Sequence, residues 1–107
     1  MGFVTLEGLD ARQPMPGFHG RFIHTDSVTI VHWDVEAGAA LPEHSHPHEQ
    51  VSSLLEGEFE MTIDGRTERM RQGSVAVVPA HAVHCGRALT SCRFIDVFHP
   101  VREDYRA

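Results

Sequence analysis

Apolar and polar residues alternate along much of the chain with the two-residue period of a β-strand. Val31, Trp33 and Val35 share one parity, while Val28 and Ile30 fall on the other. Because successive side chains of a strand point to opposite faces, each parity marks one face. No apolar pattern in the chain keeps the 3.6-residue period of a helix over three turns. The pattern therefore predicts strands and no long helix.

A second alternating stretch ends in a turn signal. Phe59, Met61 and Ile63 alternate with polar residues, and Asp64-Gly65 follows directly. This dipeptide favours a two-residue hairpin turn, in which both residues need positive φ angles. We therefore expect a strand with its three apolar side chains inward and a hairpin immediately after it.

Three further segments complete the outline. Residues 75–78 predict a short buried strand, and residues 92–98 are apolar on both parities, so both faces of that strand are expected to be covered. Residues 1–20 are rich in Gly and Pro and predict an irregular arm with at most one short strand. Many short strands separated by Gly and Pro are typical of a sandwich or barrel. An all-β fold is predicted.

Length and charge limit the classes of function. A chain of 107 residues is about one domain long and can bury a core without staples. The net charge of −6 argues against binding nucleic acid, which needs a concentrated basic face. No apolar run is long enough to span a membrane, and the N-terminus has no secretion-signal pattern. A cytoplasmic location is therefore expected.

Two features of composition limit the chemistry. The chain contains no lysine, which excludes Schiff-base catalysis and a phosphate-loop lysine. Its two cysteines, Cys85 and Cys92, are too few for a disulfide framework. We expect them to be reduced and mostly buried thiols.

Three histidines and a glutamine have the spacing of metal ligands. His44 and His46 stand at i and i+2, so they project from one face of a strand, and Gln50 shares their parity. His84 lies far downstream, after another strand. Ligands from two strand pairs that converge inside a barrel suit one divalent transition metal, such as Zn, Ni, Fe, Cu or Mn. The alternative is a solvated histidine-rich loop.

Both halves of this set lie in segments that resemble the two cupin motifs. Residues 38–57 resemble the first motif, G-x5-H-x-H-x3-E-x6-G, at every spacing. Residues 73–88 resemble the second motif, G-x5-P-x-G-x2-H. The resemblance implies a single cupin domain over residues 1–107, folded as a double-stranded β-helix, or jelly-roll barrel, that holds one metal ion.

The chain departs from these motifs where Gln50 replaces a glutamate, His81 replaces a glycine and Ala88 replaces an asparagine. A glutamine ligand is neutral, so the metal would keep its full +2 charge and be a stronger Lewis acid. His48 and Glu49 are rival ligands by proximity, but only Gln50 has the spacing of the motif. We expect His81 at the pocket rim or on the surface. An alternative is that His81 supports one of the metal-ligating residues.

Asp96 stands within the apolar C-terminal strand, on the same parity as Phe94 and Phe98. An isolated carboxylate is costly to bury, so Asp96 must be paired or face a polar cavity. Two roles are open. It forms a structural ion pair with an arginine such as Arg21 or Arg93, or it acts as a general acid or base beside the metal.

A closer resemblance covers the chain from about residue 38 onward. Segments 44–51 and 94–105 are similar to those of the small pectin-degradation cupins, which convert unsaturated uronates to their linear keto form. The resemblance implies metal ligation by His44, His46, Gln50 and His84, catalysis by Asp96 and Arg102, and substrate binding by Phe98 and Arg102.

The function implied is a metal-dependent conversion of 4,5-unsaturated monouronates from pectin or alginate breakdown, with a small anionic sugar as the partner. The alternatives are a metal-dependent cupin dioxygenase and a non-catalytic cupin that binds a small molecule. The acidic net charge does not attract a uronate, so local arginines must do so. Because the C-terminal strand is apolar on both faces, a homodimer is also expected.

Overall fold

The computed structural model describes residues 2–106 and consists mainly of strands. The strands are β1 Arg12–Met15, β2 Phe18–His24, β3 Thr29–Val35, β4 Ala40–His44, β5 Glu49–Glu56, β6 Phe59–Ile63, β7 Arg66–Met70, β8 Val75–Val78, β9 His84–Ala88 and β10 Cys92–His99. Two single-turn 3₁₀ helices, Leu6–Gly8 and Glu103–Tyr105, flank them. The first and last residues of the predicted domain, 1 and 107, lie outside the described part.

The strands form two antiparallel sheets that pack face to face. The larger sheet has the order β1-β2-β3-β10-β5-β8, and the smaller sheet has the order β4-β9-β6-β7. Inward side chains of both sheets meet in the core, where the ring centroids of Phe59 from β6 and Phe94 from β10 lie 5.0 Å apart. Two sheets around one core are the architecture of a jelly-roll barrel. The all-β prediction is confirmed.

Alternation determines which side of each strand faces the core. In β3, Thr29, Val31, Trp33 and Val35 are buried, and the residues between them are half-buried. Each apolar side chain buried in this way contributes about 1.5–3 kcal/mol of transfer free energy. The buried apolar side chains are Phe18, Val31, Trp33, Val35, Leu54, Phe59, Met61, Met70, Val78, Ala82, Ala88, Cys92, Phe94 and Phe98.

The predicted hairpin turn is present at Asp64-Gly65. Both residues have positive φ angles, 47° and 82°, as a two-residue hairpin requires. The turn also supports the loop before β9, because Asp64 Oδ1 accepts a hydrogen bond from the main-chain N–H of Val83 at 3.1 Å.

The two motif segments of the sequence contribute two strands each. Residues 38–57 contain β4 and β5, and residues 73–88 contain β8 and β9. β4 pairs with β9 in the smaller sheet, and β5 pairs with β8 in the larger sheet. The two segments are therefore interleaved, and their ligand residues come together at one end of the barrel.

The expectation of an irregular arm over residues 1–20 needs correction in its second half. Residues 12–20 form β1 and the start of β2, which pair with each other at the edge of the larger sheet. The pairing gives part of the backbone polar groups of this stretch a partner despite its Gly and Pro content.

Two expectations of burial also need correction. β8 is not a fully buried strand, because Val75 and Val77 are 56% and 62% exposed. It is the edge strand of the larger sheet, and no layer within residues 2–106 covers their outward face. The outward residues Ile95 and Val97 of the central strand β10 are only half-buried, because no layer within residues 2–106 covers that face of the sheet either.

Cys85 and Cys92 are both free thiols, the first half-buried and the second buried. Among the described residues, no helix has the length and apolar character needed to cross a membrane.

Candidate metal centre

The end of β4, the turn after it and the start of β9 bring three histidines together. His44 is the last residue of β4 and pairs directly with His84, the first residue of β9. His46 lies in the turn that leads into β5. The centroids of the imidazole rings are 4.1 Å apart for His44 and His84, and 4.9 Å apart for His46 and His84. One nitrogen from each ring falls within 4.8 Å of the others.

Each of these rings is oriented by a main-chain carbonyl two residues away. The distances from Nδ1 to the carbonyl oxygen are 2.7 Å for His44, 3.0 Å for His46 and 2.9 Å for His84. Because a carbonyl only accepts, Nδ1 carries the proton and Nε2 keeps a lone pair. Metal-binding histidines usually have this arrangement, in which the second nitrogen donates to a carbonyl or carboxylate.

Gln50 supplies a fourth acceptor. Its Oε1 lies 3.1 Å from Nε2 of His46, while its Nε2 donates to Oγ of Ser52 at 2.9 Å. Two lone pairs thus face each other across 3.1 Å. In addition, the buried Nε2 of His84 has no hydrogen-bond partner within residues 2–106. A buried acceptor without a partner is costly, and a cation would satisfy all of these atoms.

The protonation states of the rings also fit a metal. Burial, together with the charges of Arg102 and His84, lowers the pKa of His46 to about 4. Burial also lowers the pKa of His84. Both rings are therefore neutral near pH 7, which is the form that binds metals. Three imidazoles and one amide oxygen are a donor set for a first-row divalent ion.

Asp96 lies next to this set, on the inward face of β10. The indole Nε1–H of Trp33 donates to its Oδ2 at 3.0 Å, and Nε2 of Gln50 lies 3.4 Å from the same oxygen. The other oxygen, Oδ1, is buried without a hydrogen-bond partner among the described residues. Burial raises the pKa of Asp96 to about 6, and hydrogen bonds from Ser52 and Trp33 offset part of that rise.

The structural ion pair considered for Asp96 is absent from residues 2–106. Arg93 and Arg21 point to the outward face of the larger sheet, where both pair with Asp34. The charge of Arg102 lowers the pKa of Asp96, but by less than burial raises it. Asp96 thus faces the interior of the barrel, and its role as a general acid or base stays a prediction.

Arg102 is buried despite its charge. Its guanidinium carbon lies 4.8 Å from the ring centroid of Phe98 and 4.1 Å from that of Tyr105. Its Nε and Nη2 donate to the two carboxylate oxygens of Asp104 at 3.1 Å and 2.7 Å. One edge of the guanidinium is therefore held by the protein itself, and this partner was not foreseen from the sequence.

A single cavity in the barrel connects these groups. Five of the residues singled out from the sequence line it: His44, Gln50, Asp96, Phe98 and Arg102. His46 adjoins the cavity through its ring contact with Phe98, at 5.8 Å between centroids, and His84 through its contact with His44. The wall also contains Trp33 and Tyr105, which sequence reasoning did not assign to the site. For Trp33 the available signals were its aromatic character and its inward parity, whereas Tyr105 lies in a 3₁₀ turn, where no strand parity marks a direction.

Comparison with known proteins identifies the family. The profile of the cupin domain matches residues 31–98, more than half of the chain. The chain belongs to the cupin family. The interleaved strands and the histidine cluster described above are the cupin arrangement of this protein.

Solved cupin structures resemble it over nearly the whole chain. An RmlC-like cupin from Shewanella frigidimarina NCIMB 400 is 29% identical, with a TM-score of 0.92 over 98% of this chain and 96% of that one. KdgF from a Halomonas species is also 29% identical, with a TM-score of 0.90 over 97% of both chains. Ectoine synthase from P. lautus, at 21% identity and a TM-score of 0.84 over 95% and 80%, shows the shared fold alone. The shared fold thus occurs in an enzyme.

The substitution of His81 for the glycine of the cupin motif has a visible structural consequence. His81 has a φ angle of 68°, in the left-handed region that glycine enters without penalty. Histidine is one of the few other residues enriched there. The side chain is exposed, and the main-chain N–H of His81 donates to the carbonyl of His46 at 2.8 Å. His81 therefore contacts a ligand residue through its backbone.

His48 and Glu49 contribute no atom to the histidine cluster. The ring of His48 packs against that of His46 at 5.5 Å between centroids, and Glu49 is exposed. Gln50 is the residue of this trio that faces the cupin interior.

Proposed function

We propose that this cupin binds one divalent transition metal and converts 4,5-unsaturated monouronates from pectin or alginate breakdown to their linear keto form. The metal ligands would be His44, His46, Gln50 and His84. The similarity to KdgF over nearly the full length supports the proposal. So does the resemblance of segments 44–51 and 94–105 to the pectin-degradation cupins.

One observation supports the proposal most strongly. Asp96 has a buried oxygen without a partner among the described residues, in the same cavity as His44, Gln50 and Arg102. A metal donor set, a carboxylate and a guanidinium in one cavity are the groups that an anionic sugar and a proton transfer require.

The protein groups would divide the reaction as follows. A bound metal would polarise oxygens of the sugar as a Lewis acid. In the ring opening, the anomeric hydroxyl loses a proton and becomes the C1 carbonyl as the bond from C1 to the ring oxygen breaks. The ring oxygen stays on C5 as an enol, and a proton gained at C4 converts this enol to the ketone, so no other reactant is consumed. Asp96 Oδ1 would hold and move that proton, and its pKa of about 6 lets both of its forms be present near neutral pH.

Arg102 would bind the carboxylate of the substrate. Because Asp104 takes its Nε and Nη2, the substrate would meet the edge that carries Nη1. Phe98 and Tyr105 flank the guanidinium and would form the apolar wall against the sugar ring.

The test is turnover of unsaturated galacturonate, followed by loss of the ultraviolet absorbance of its double bond. We expect turnover by the metal-loaded protein, loss of turnover after chelation, and recovery on adding metal back. Unchanged absorbance with metal bound would contradict the proposal. Oxygen uptake in proportion to the substrate lost would favour the dioxygenase alternative, because the tautomerisation consumes no oxygen. Tight sugar binding without turnover would favour the binding alternative.

We also propose that the protein forms a homodimer through the outward face of the larger sheet. Val77, Val51, Val97, Ile30 and Ile23 are directly paired across five neighbouring strands and form an apolar row on that face. A row of this kind can pair with a second copy of itself about a twofold axis. Edge strand β8 leaves it open on one side.

Light scattering of the wild type and Val77→Glu tests this interface. We expect a dimer for the wild type and a shift toward monomer for the variant, in which charge is placed on the row. A monomeric wild type at working concentration would contradict it. The cytoplasmic location stays a prediction from the sequence.

A further inference from the structure

The two oxygens of Asp96 have different surroundings. Oδ2 receives the indole N–H of Trp33 at 3.0 Å and lies 3.4 Å from the amide Nε2 of Gln50. Oδ1 has no hydrogen-bond partner within residues 2–106. The carboxylate is thus anchored through one oxygen, and the other is left available to a ligand in the cavity.

Trp33 is itself rigidly held. Its ring makes edge-to-face contacts with Phe18 and Phe22, at 6.0 Å and 5.5 Å between centroids. On the neighbouring strand, a Cβ at Gly20 would lie 2.6 Å from Cζ3 of Trp33, so the ring occupies the space that only glycine leaves. Glycine is otherwise unfavourable within a strand, and a close approach of this kind explains its presence there. The indole N–H therefore has a fixed direction toward Asp96.

Ser52 orients the amide of Gln50 in the same way. Nε2 of Gln50 donates to Oγ of Ser52 at 2.9 Å, which leaves Oε1 directed toward Nε2 of His46. A glutamate at position 50 would have no N–H for Ser52, and it would place a second carboxylate about as close to Asp96 as the amide now lies. Two carboxylates at this distance disfavour each other's charged form. The neutral amide of Gln50 therefore avoids a like-charge contact with Asp96.

We propose that Trp33 and Ser52 are positioning residues of this centre: Trp33 anchors Asp96 so that Oδ1 faces the cavity, and Ser52 holds Gln50 so that Oε1 faces the histidines. The inference rests on the proposed function for its catalytic consequence. Its geometric content concerns side chains of this chain and is tested without substrate.

The first test uses the indole N–H resonance, which is unique because the chain has one tryptophan. In ¹⁵N-labelled protein, Asp96→Asn replaces a charged acceptor by a neutral one, so the indole proton should move upfield. Asp34→Asn is the matched control, because Asp34 adjoins Trp33 in sequence but pairs with Arg93 on the outward face. A resonance that does not respond to Asp96→Asn would overturn the anchoring by Trp33.

The second test measures Zn²⁺ affinity by calorimetry in Ser52→Ala. Loss of a group that orients a metal ligand costs about 10–100-fold in affinity. Ser53→Ala is the matched control, since Ser53 lies on the opposite face of β5. Equal affinity in Ser52→Ala and Ser53→Ala would overturn the role of Ser52.

The third test separates positioning from packing in turnover of unsaturated galacturonate. Trp33→Phe keeps most of the ring but removes the N–H, and kcat should fall about tenfold or more at nearly constant KM, the scale of a hydrogen bond to a charged group. Leu54→Ala removes buried packing elsewhere in the core and should lower stability with little change in kcat. Similar kcat values for Trp33→Phe and wild type would contradict the proposal.

Failure of the proposed function has a different signature. In that case the wild type shows no turnover, while the indole resonance and the Zn²⁺ affinities still decide whether Trp33 and Ser52 hold their partners.

Discussion

The larger sheet carries an aspartate on each face, and comparing them shows what the barrel interior does to a carboxylate. Asp34, on the outward face of β3, has a side chain 51% exposed and lies 3.1 Å from Nε of Arg93 and 3.8 Å from Nη1 of Arg21. Asp96, on the inward face of β10, is buried, accepts the indole N–H of Trp33 and has no ion pair among the described residues.

The two environments have opposite energetic consequences. Ion pairs in contact with water, such as those of Asp34, contribute little to stability. Burial of Asp96 without a cationic partner penalises its charged form, and this raises its pKa to about 6. A group kept at an energetic cost in a cavity beside a metal donor set is a candidate for chemistry. The difference in environment between Asp34 and Asp96 therefore distinguishes the solvent-facing side of the sheet from the side that lines the cavity.

The largest expected effect is on turnover. Asp96→Asn should lower kcat by roughly 10²–10⁴, the range for loss of a positioned acid or base. Metal content should remain that of the wild type. Asp34→Asn should leave kcat within about twofold, because a surface ion pair contributes little. Steady-state kinetics and metal analysis of both variants measure this difference. Equal effects of Asp96→Asn and Asp34→Asn on kcat would contradict a catalytic role for Asp96.

The next effect is on the pH dependence of stability in chelator-treated protein. The pKa of Asp96 in the folded protein, about 6, lies above the ordinary aspartate value of 3.8. The folded state therefore binds the proton more tightly, so the stability contributed by Asp96 is present below about pH 4 and is lost as the pH rises through about 6. At pH 7 the cost is about 3 kcal/mol relative to a neutral side chain.

Denaturant unfolding of the wild type and Asp96→Asn at acidic and neutral pH measures this cost. The variant should gain stability relative to the wild type as the pH rises. A wild type that is more stable than the variant by about 3–5 kcal/mol at neutral pH would indicate a buried ion pair instead.

The smallest expected effect is on stability, and it distinguishes the exposed imidazole of His81 from the imidazoles of the histidine cluster. His81 has a positive φ and an exposed side chain, so His81→Gly should relieve backbone strain and raise the free energy of unfolding by up to about 1 kcal/mol. Zn²⁺ affinity should not change, because the side chain is no ligand. Thermal unfolding and calorimetry of the variant check both parts, and loss of affinity would assign the imidazole of His81 to the metal.

The sequence predicts which residues belong to this site better than it predicts the contacts between them. Residue parity and motif spacing are local properties, and they correctly indicate that His44, His46 and His84 cluster and that Asp96 faces inward. The bidentate contact of Asp104 with Arg102 depends on the single 3₁₀ turn after β10, which has no apolar period to reveal it.

Strand order is the other property that local patterns do not contain. The apolar residues of β8 suggest a buried strand, but the strand lies at the edge of the larger sheet, so Val75 and Val77 face outward without cover within residues 2–106. Likewise, Trp33 reaches Asp96 only because β3 and β10 are paired neighbours, 63 residues apart in sequence.

We propose that the inward face of this cupin holds a metal beside Asp96, a carboxylate without an ion pair among the described residues. Anomalous diffraction from a Zn²⁺-loaded crystal would locate that metal. We expect one peak bounded by Nε2 of His44, His46 and His84 and by Oε1 of Gln50. Metal–nitrogen distances should be about 2.0–2.1 Å. The absence of a peak at this position, or His46 or His84 turned toward solvent, would contradict it.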